Sequence, residues 1–210
     1  SESSLVDLIQ GNGELFFSED EDSGAKLWKT NGLVSGNQLV KSFYSSGPYD
    51  LTKVYSASFD DGILWFSIHA ENELWRSDGT GAGTREIATF PVLPIGYGTQ
   101  LRYMQAAGGF VCFTAADPGI TQELWQSDGT TQGTHVVQHG GLTYTNVSFK
   151  GRMFDRVLFN ANHDGAYETW TSDGTDLVKV SETVDAFSTA FPYKGCCLIA
   201  GQEGSNIDLY

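Results

Sequence analysis

The sequence predicts an all-β fold built from five copies of a four-stranded antiparallel unit, and three observations carry this prediction. First, one phrase recurs: Glu73 to Ile87 reads ELWRSDGTGAGTREI and Glu123 to Val137 reads ELWQSDGTTQGTHVV. A worn copy, ETWTSDGTDLVKV, runs from Glu168 to Val180, and a more eroded one, KLWKTNGLVSGNQLV, from Lys26 to Val40. Second, the aromatic of the phrase forms a column, Trp28, Trp75, Trp125, Trp170 and finally Tyr210, at separations of 47, 50, 45 and 40 residues. That period is the length of a four-stranded propeller blade. Third, apolar residues stand side by side at Phe16-Phe17, Trp65-Phe66 and Val157-Leu158-Phe159. Such runs suit strands packed on both faces, and the 3.6-residue stripes of helical repeats are missing.

Each unit can be parsed in order. In the first, Leu5 to Gln10 precedes a GNG turn, then Leu15 to Phe17, a polar loop from Ser18 to Gly24, a strand around Leu27 and Trp28, and a return over Gln38 to Phe43. Glycine and asparagine supply the positive φ that tight reversals need. The same parts recur, so the expected blades cover approximately residues 5–43, 51–90, 101–138, 142–180 and 184–210 of a single propeller domain, 1–210. The fourth carries an extra stretch through Met153 and Phe154. The fifth, ending in IDLY at Ile207 to Tyr210, lacks its outer strand.

Composition narrows the function classes. There are 12 Lys and Arg against 26 Asp and Glu, a formal charge of −14. Such a surface repels the phosphates that dominate nucleic-acid affinity, so neither nucleic acid nor an anionic membrane is an expected partner. No apolar run approaches a membrane span. Three cysteines, Cys112, Cys196 and Cys197, form no disulfide framework and are expected as free thiols. Asn146-Val147-Ser148 is a glycosylation acceptor pattern whose place on an inner strand argues against occupancy.

Within the phrase, Asp78, Asp128 and Asp173 can accept backbone N–H groups two residues on while the following glycine turns left-handed, pinning the reversal between strands three and four. Trp28, Trp75, Trp125 and Trp170 are expected to pack between blades. Phrases of this form resemble the ELWxxDGTxxGT repeats of bacterial and marine-organism secreted or surface proteins. The resemblance implies a β-propeller and an extracellular or cell-surface location. Copy one has Asn31 for Asp and lacks the GT pairs, and copy four lacks the second GT, so shorter or less regular hairpins are expected there. In blade number the chain is also similar to tachylectin-type five-bladed lectins, a likeness of architecture only.

Strand parity separates the two ends of each blade. The turn between strands two and three and the link from strand four to the next strand one emerge together, opposite the DGT turns. That face collects acids, amides, histidines and tyrosines suited to hydrogen-bonding and stacking on sugars. The candidate ligand residues are Asp20, Asp22, His69, Glu71, Tyr97, Asp117, His163, Asp164 and Glu203. Asp20 and Asp22 offer carboxylates to calcium, although the twelve-residue calcium loop is missing. His69, His135, His139 and His163 show no zinc spacing. No cofactor is otherwise expected, and no catalytic residue is assigned.

The leading expectation is a non-catalytic carbohydrate-binding or adhesion module that recognises glycans or cell-surface glycoconjugates. The first alternative is a structural protein that self-assembles into homo-oligomers or filaments by edge-strand addition. The second is a propeller glycoside hydrolase using carboxylates such as Asp20, Glu71, Asp117 and Asp164, without a recognisable acid-base pair.

Overall fold

A computed structural model describes residues 5–21, 24–44, 53–68, 72–91, 101–116, 121–180, 187–193, 196–203 and 206–209. The chain forms two compact units, residues 1–102 and 103–210.

The first unit holds two antiparallel sheets, each with its four strands in sequence order. One is β1 (Leu5–Gly11), β2 (Glu14–Glu21), β3 (Gly24–Thr30) and β4 (Gln38–Tyr44); the other is β5 (Val54–Asp60), β6 (Ile63–Ile68), β7 (Glu73–Ser77) and β8 (Arg85–Thr89). The two sheets pack through Phe16, which stacks on Phe59, and Phe43, which meets Phe66 and Trp75 edge-on. Residues Leu64 to Ile68 of β6 are all buried, as a strand covered on both faces requires.

The second unit repeats the pattern with alterations. Strands β9 (Arg102–Ala107), β10 (Phe110–Ala116), β11 (Gln122–Ser127) and the short β12 (His135–Val136) form the third repeat. The expected fourth strand over His135 to Gln138 stops at Val136. The chain then forms a hairpin of β13 (Gln138–His139) and β14 (Leu142–Thr143), turned by Gly140 and Gly141 at φ 61° and 81°.

The fourth repeat comprises β15 (Thr145–Met153), β16 (Arg156–His163), β17 (Ala166–Ser172) and β18 (Leu177–Lys179). The extra stretch through Met153 lengthens β15, which absorbs it with register shifts between Thr145 and Ser148 and between Phe149 and Gly151. At the first shift Asn146 has φ 51° and is exposed. A single pairing, Glu123 opposite Thr145, joins the third and fourth repeats into one sheet. The last sheet has three strands, β19 (Phe187–Tyr193), β20 (Cys196–Glu203) and β21 (Asn206–Leu209).

The tryptophan column is a register feature. Phe17 pairs with Trp28, Phe66 with Trp75, Phe113 with Trp125 and Phe159 with Trp170. In the first three repeats the rings of each pair stack with centroids 6.3 to 6.5 Å apart. Such cross-strand aromatic pairs stabilise a sheet beyond the area they bury. Cys112 is a free, fully buried thiol, and burial raises its pKa well above the ordinary thiol range.

The recurrent phrase folds into one turn. Asp78 Oδ1 accepts from Thr80 N at 2.9 Å and from Thr80 Oγ1 at 2.7 Å, while Gly79 N donates to Ser77 Oγ. Thr80 Oγ1 in turn accepts from Gly83 N, and Thr84 Oγ1 donates to the Thr80 carbonyl. The proton of Thr84 is thereby committed, so Ser77 Oγ donates across the 2.7 Å contact with Thr84 Oγ1. Asp128, Thr130, Gly133 and Thr134 reproduce the network. The second glycine is there for space: a Cβ on Gly83 or Gly133 would lie 2.1 Å from the aspartate carboxyl.

The expectation of a shorter or less regular first hairpin is corrected. Asn31 Oδ1 accepts from Leu33 N, Thr30 Oγ1 from Gly32 N, and Gly36 keeps the five-residue offset from Asn31. A Cβ on Gly36 would again strike that side chain, at 1.8 Å from Oδ1. Leu33 has no hydroxyl, so Gly36 N donates to the Leu33 carbonyl instead, at 2.8 Å. In the fourth hairpin the expected shortening is present. Thr171 pairs with Val178, whereas Arg76 pairs with Arg85 at the same place in repeat two, so two residues are gone. There Asp173 Oδ1 accepts from Thr175 N and Asp176 N.

Candidate functional site

Of the sequence-predicted ligand residues, Asp22, His69, Glu71, Tyr97 and Asp117 lie outside the described residues. Glu203 closes β20, opposite Asn206. Asp20 is on β2, which extends through Glu21 into the expected loop, and its Oδ2 is 2.8 Å from Lys53 Nζ. That ion pair already engages one of the two proposed calcium carboxylates. Among the described residues, no group of three or more His, Cys, Asp or Glu is placed to hold a metal ion.

The expected loop from Asn160 to Tyr167 contracts to two residues, Asp164 and Gly165, with φ 48° and 79°. Both central φ angles are positive, as in the tight turn that matches strand twist. Asp164 is therefore an exposed turn residue. His163, one place earlier, ends β16 and belongs to a cluster of ring side chains at this end of the repeat.

That cluster joins the link before the fourth repeat to the turn within it. His163 stacks on Tyr144, with centroids 4.5 Å apart and planes at 21°, and meets Trp170 edge-on at 5.4 Å. Tyr144 and Trp170 are perpendicular at 5.2 Å, and the His139 ring approaches both His163 and Trp170. Parity expects this meeting, because His139 and Tyr144 belong to the strand 4–1 link and His163 to the strand 2–3 turn. The link is pinned from β11 by Leu124 N, which donates to the Tyr144 carbonyl at 2.9 Å. Beneath it, Thr169 Oγ1 donates to Asn160 Oδ1 across the buried middle of β16 and β17.

The floor of the cluster is closed and its rim open: Tyr144 and Trp170 are buried, His163 is half-buried and His139 is exposed. His163 Nε2 lies 3.1 Å from the His139 carbonyl. A carbonyl only accepts, so Nε2 is the donor in this contact.

Two buried polar atoms here, Tyr144 Oη and Trp170 Nε1, have no hydrogen-bond partner. Each such omission costs about 1–3 kcal/mol. Burial and the nearby Glu168 carboxylate push the Tyr144 pKa up to about 12, so its hydroxyl keeps its proton. Glu168 is itself held by Lys179 at 2.7 Å.

Sequence reasoning placed Trp170 in the packing column and left His139 and Tyr144 outside the candidate set. The available signal was parity combined with the concentration of ring side chains in the 139–144 link and the 160–167 segment.

No protein-family model matches the chain, and no curated protein matches it. Solved structures similar in shape include TolB from Acinetobacter baumannii, at 11% identity and a TM-score of 0.49 over 94% of this chain and 52% of that one. The chain therefore spans about half of that TolB structure. A nidogen/laminin complex matches at 10% identity and a TM-score of 0.47, over 90% of this chain and 68% of that one. The β-propeller domain of the Trilobed protease from Pyrococcus furiosus matches at 12% identity and a TM-score of 0.45, over 99% and 82%.

Proposed function

We propose that the five repeats close into a five-bladed β-propeller that acts outside the cell or at its surface as a non-catalytic carbohydrate-binding or adhesion module. The observation supporting this reading is the meeting of the His139–Tyr144 link with His163 and Trp170 at the variable end of the fourth repeat. Aromatic and imidazole rings combined with hydrogen-bonding groups suit the apolar faces and hydroxyl edges of sugars. The turns at the opposite end are filled by their own internal hydrogen bonds.

A glycan array probed with the purified chain tests the reading, alongside a glycosidase panel on whatever binds. Binding without hydrolysis is the expected result. An array with no hit, together with no sugar-dependent agglutination, would sink it; release of a cleaved sugar would favour a hydrolase.

A further inference from the structure

We infer that the fourth repeat carries a specialised site for a neutral, hydroxyl-bearing sugar, with Tyr144 and Trp170 as donors and the His163 ring as a movable cover. The inference rests on the glycan reading and assigns it one location and one ligand chemistry.

The column tryptophan of the fourth repeat differs from those of the first two. In the first, Trp28 Nε1 donates to Glu19 Oε2 at 3.0 Å; in the second, Trp75 Nε1 donates to Glu73 Oε2 at 2.7 Å. Both indoles are satisfied by a carboxylate of their own sheet. Glu168 holds the place of Glu73 in the phrase ETW, two residues before the tryptophan. Its carboxylate lies instead 2.7 Å from Lys179 Nζ, and Trp170 Nε1 is left without an acceptor. The hydroxyl of Tyr144, whose ring touches Trp170, has no partner either. Buried donors without acceptors are uncommon enough to require an explanation, and an absent ligand group is one.

Both orphaned atoms are shut away from solvent, so a ligand reaches them only if something moves. His163 is the half-exposed ring packed on both residues, and its Nε2 bonds to the His139 carbonyl. Rotating it outward gives up that bond and one stacked face while leaving the strands in place. The chemistry then selects the ligand. An indole N–H only donates, which disfavours a cation. Glu168 beside the tyrosine and a chain charge of −14 disfavour an anion. A sugar hydroxyl accepts from such donors without carrying charge, and its ring face can rest on the displaced imidazole or on His139.

The test is calorimetric titration of the full chain with neutral glycans identified on the array, repeated for Y144F, W170F and W75F. Y144F deletes one oxygen, and unfolding curves confirm that each variant is folded. We expect one site per chain, at least tenfold weaker binding in Y144F and in W170F, and no change in W75F. Unchanged affinity in Y144F and W170F, equal loss in W75F, more than one site, or binding of acidic glycans only would overturn this assignment while leaving the glycan reading standing. An array with no hit would remove both.

Discussion

The second and fourth repeats are built on one scaffold and finished differently. Both pair a buried phenylalanine, Phe66 or Phe159, with the column tryptophan across strands two and three. Both turn on an aspartate that accepts from the N–H two residues on. The repeats part at the other end of the sheet. Trp75 is closed by Glu73 and covered by Lys41, whose Nζ is 5.1 Å from the ring centroid. Trp170 is surrounded by Tyr144, His139 and His163 and lacks an acceptor. Shared packing thus coexists with an altered polar shell.

Four measurements would break or sharpen this contrast. The largest effect is expected where the repeats agree: Phe66→Ala and Phe159→Ala each remove a fully buried ring and should cost about 3–5 kcal/mol in denaturant unfolding. A large loss in one repeat and a small one in the other would deny the shared scaffold.

Next come the glycines of the turn. Gly83→Ala forces a Cβ into the Asp78 carboxyl and should cost about 1–3 kcal/mol. Combining it with Asp78→Ala should recover part of that loss. The shorter fourth turn has no such glycine, so Asp176→Ala at its exposed tip should stay within about 0.5 kcal/mol of the parent.

The third measurement addresses the tryptophans. Trp75→Phe gives up a bond to a charged acceptor, whereas Trp170→Phe also removes an unsatisfied N–H. Thermal unfolding should find Trp75→Phe the more destabilising by about 1–2 kcal/mol. Equal losses would mean that the two indoles are equally satisfied.

The smallest effect is on acid stability. Hydrogen bonds from Thr80 lower the Asp78 pKa below its ordinary 3.8, bonds from Thr130 do the same for Asp128, and backbone bonds from Asp176 and Thr175 lower that of Asp173. A carboxylate with a depressed folded-state pKa contributes stability that is present above the unfolded value and is lost as pH falls through the folded one. Asp78→Asn, Asp128→Asn and Asp173→Asn should therefore each flatten the acid limb of the stability profile below about pH 4. Asn31, which does not titrate, leaves the first turn outside this dependence.

The legible parts of the fold have short-range causes. The doubled apolar positions of strand two, the Asp-Gly reversal and the period of the tryptophans predict four-stranded units, and four strands occur in each of the first four repeats, the last strand of the third being short. The first hairpin was misjudged because its phrase has lost the threonines. Asn31 and Gly36 still hold the turn, since a side-chain oxygen and room beside it are what the bend requires. The 160–167 segment was expected as a variable loop because it is polar, yet Asp164-Gly165 is itself a strong hairpin signal and lets both strands continue.

By itself the sequence determined the repeat, the turn chemistry and, through strand parity, which end of the units gathers the variable residues. Each of these follows from neighbours a few residues apart or from a count of strands. Only the tertiary structure decided that His139, Tyr144, His163 and Trp170 form one cluster, that Asp20 is engaged by Lys53, and that Glu168 is drawn to Lys179. A buried N–H has an acceptor or lacks one according to which side chains from other strands reach it, and the phrase ELW or ETW contains no record of that competition.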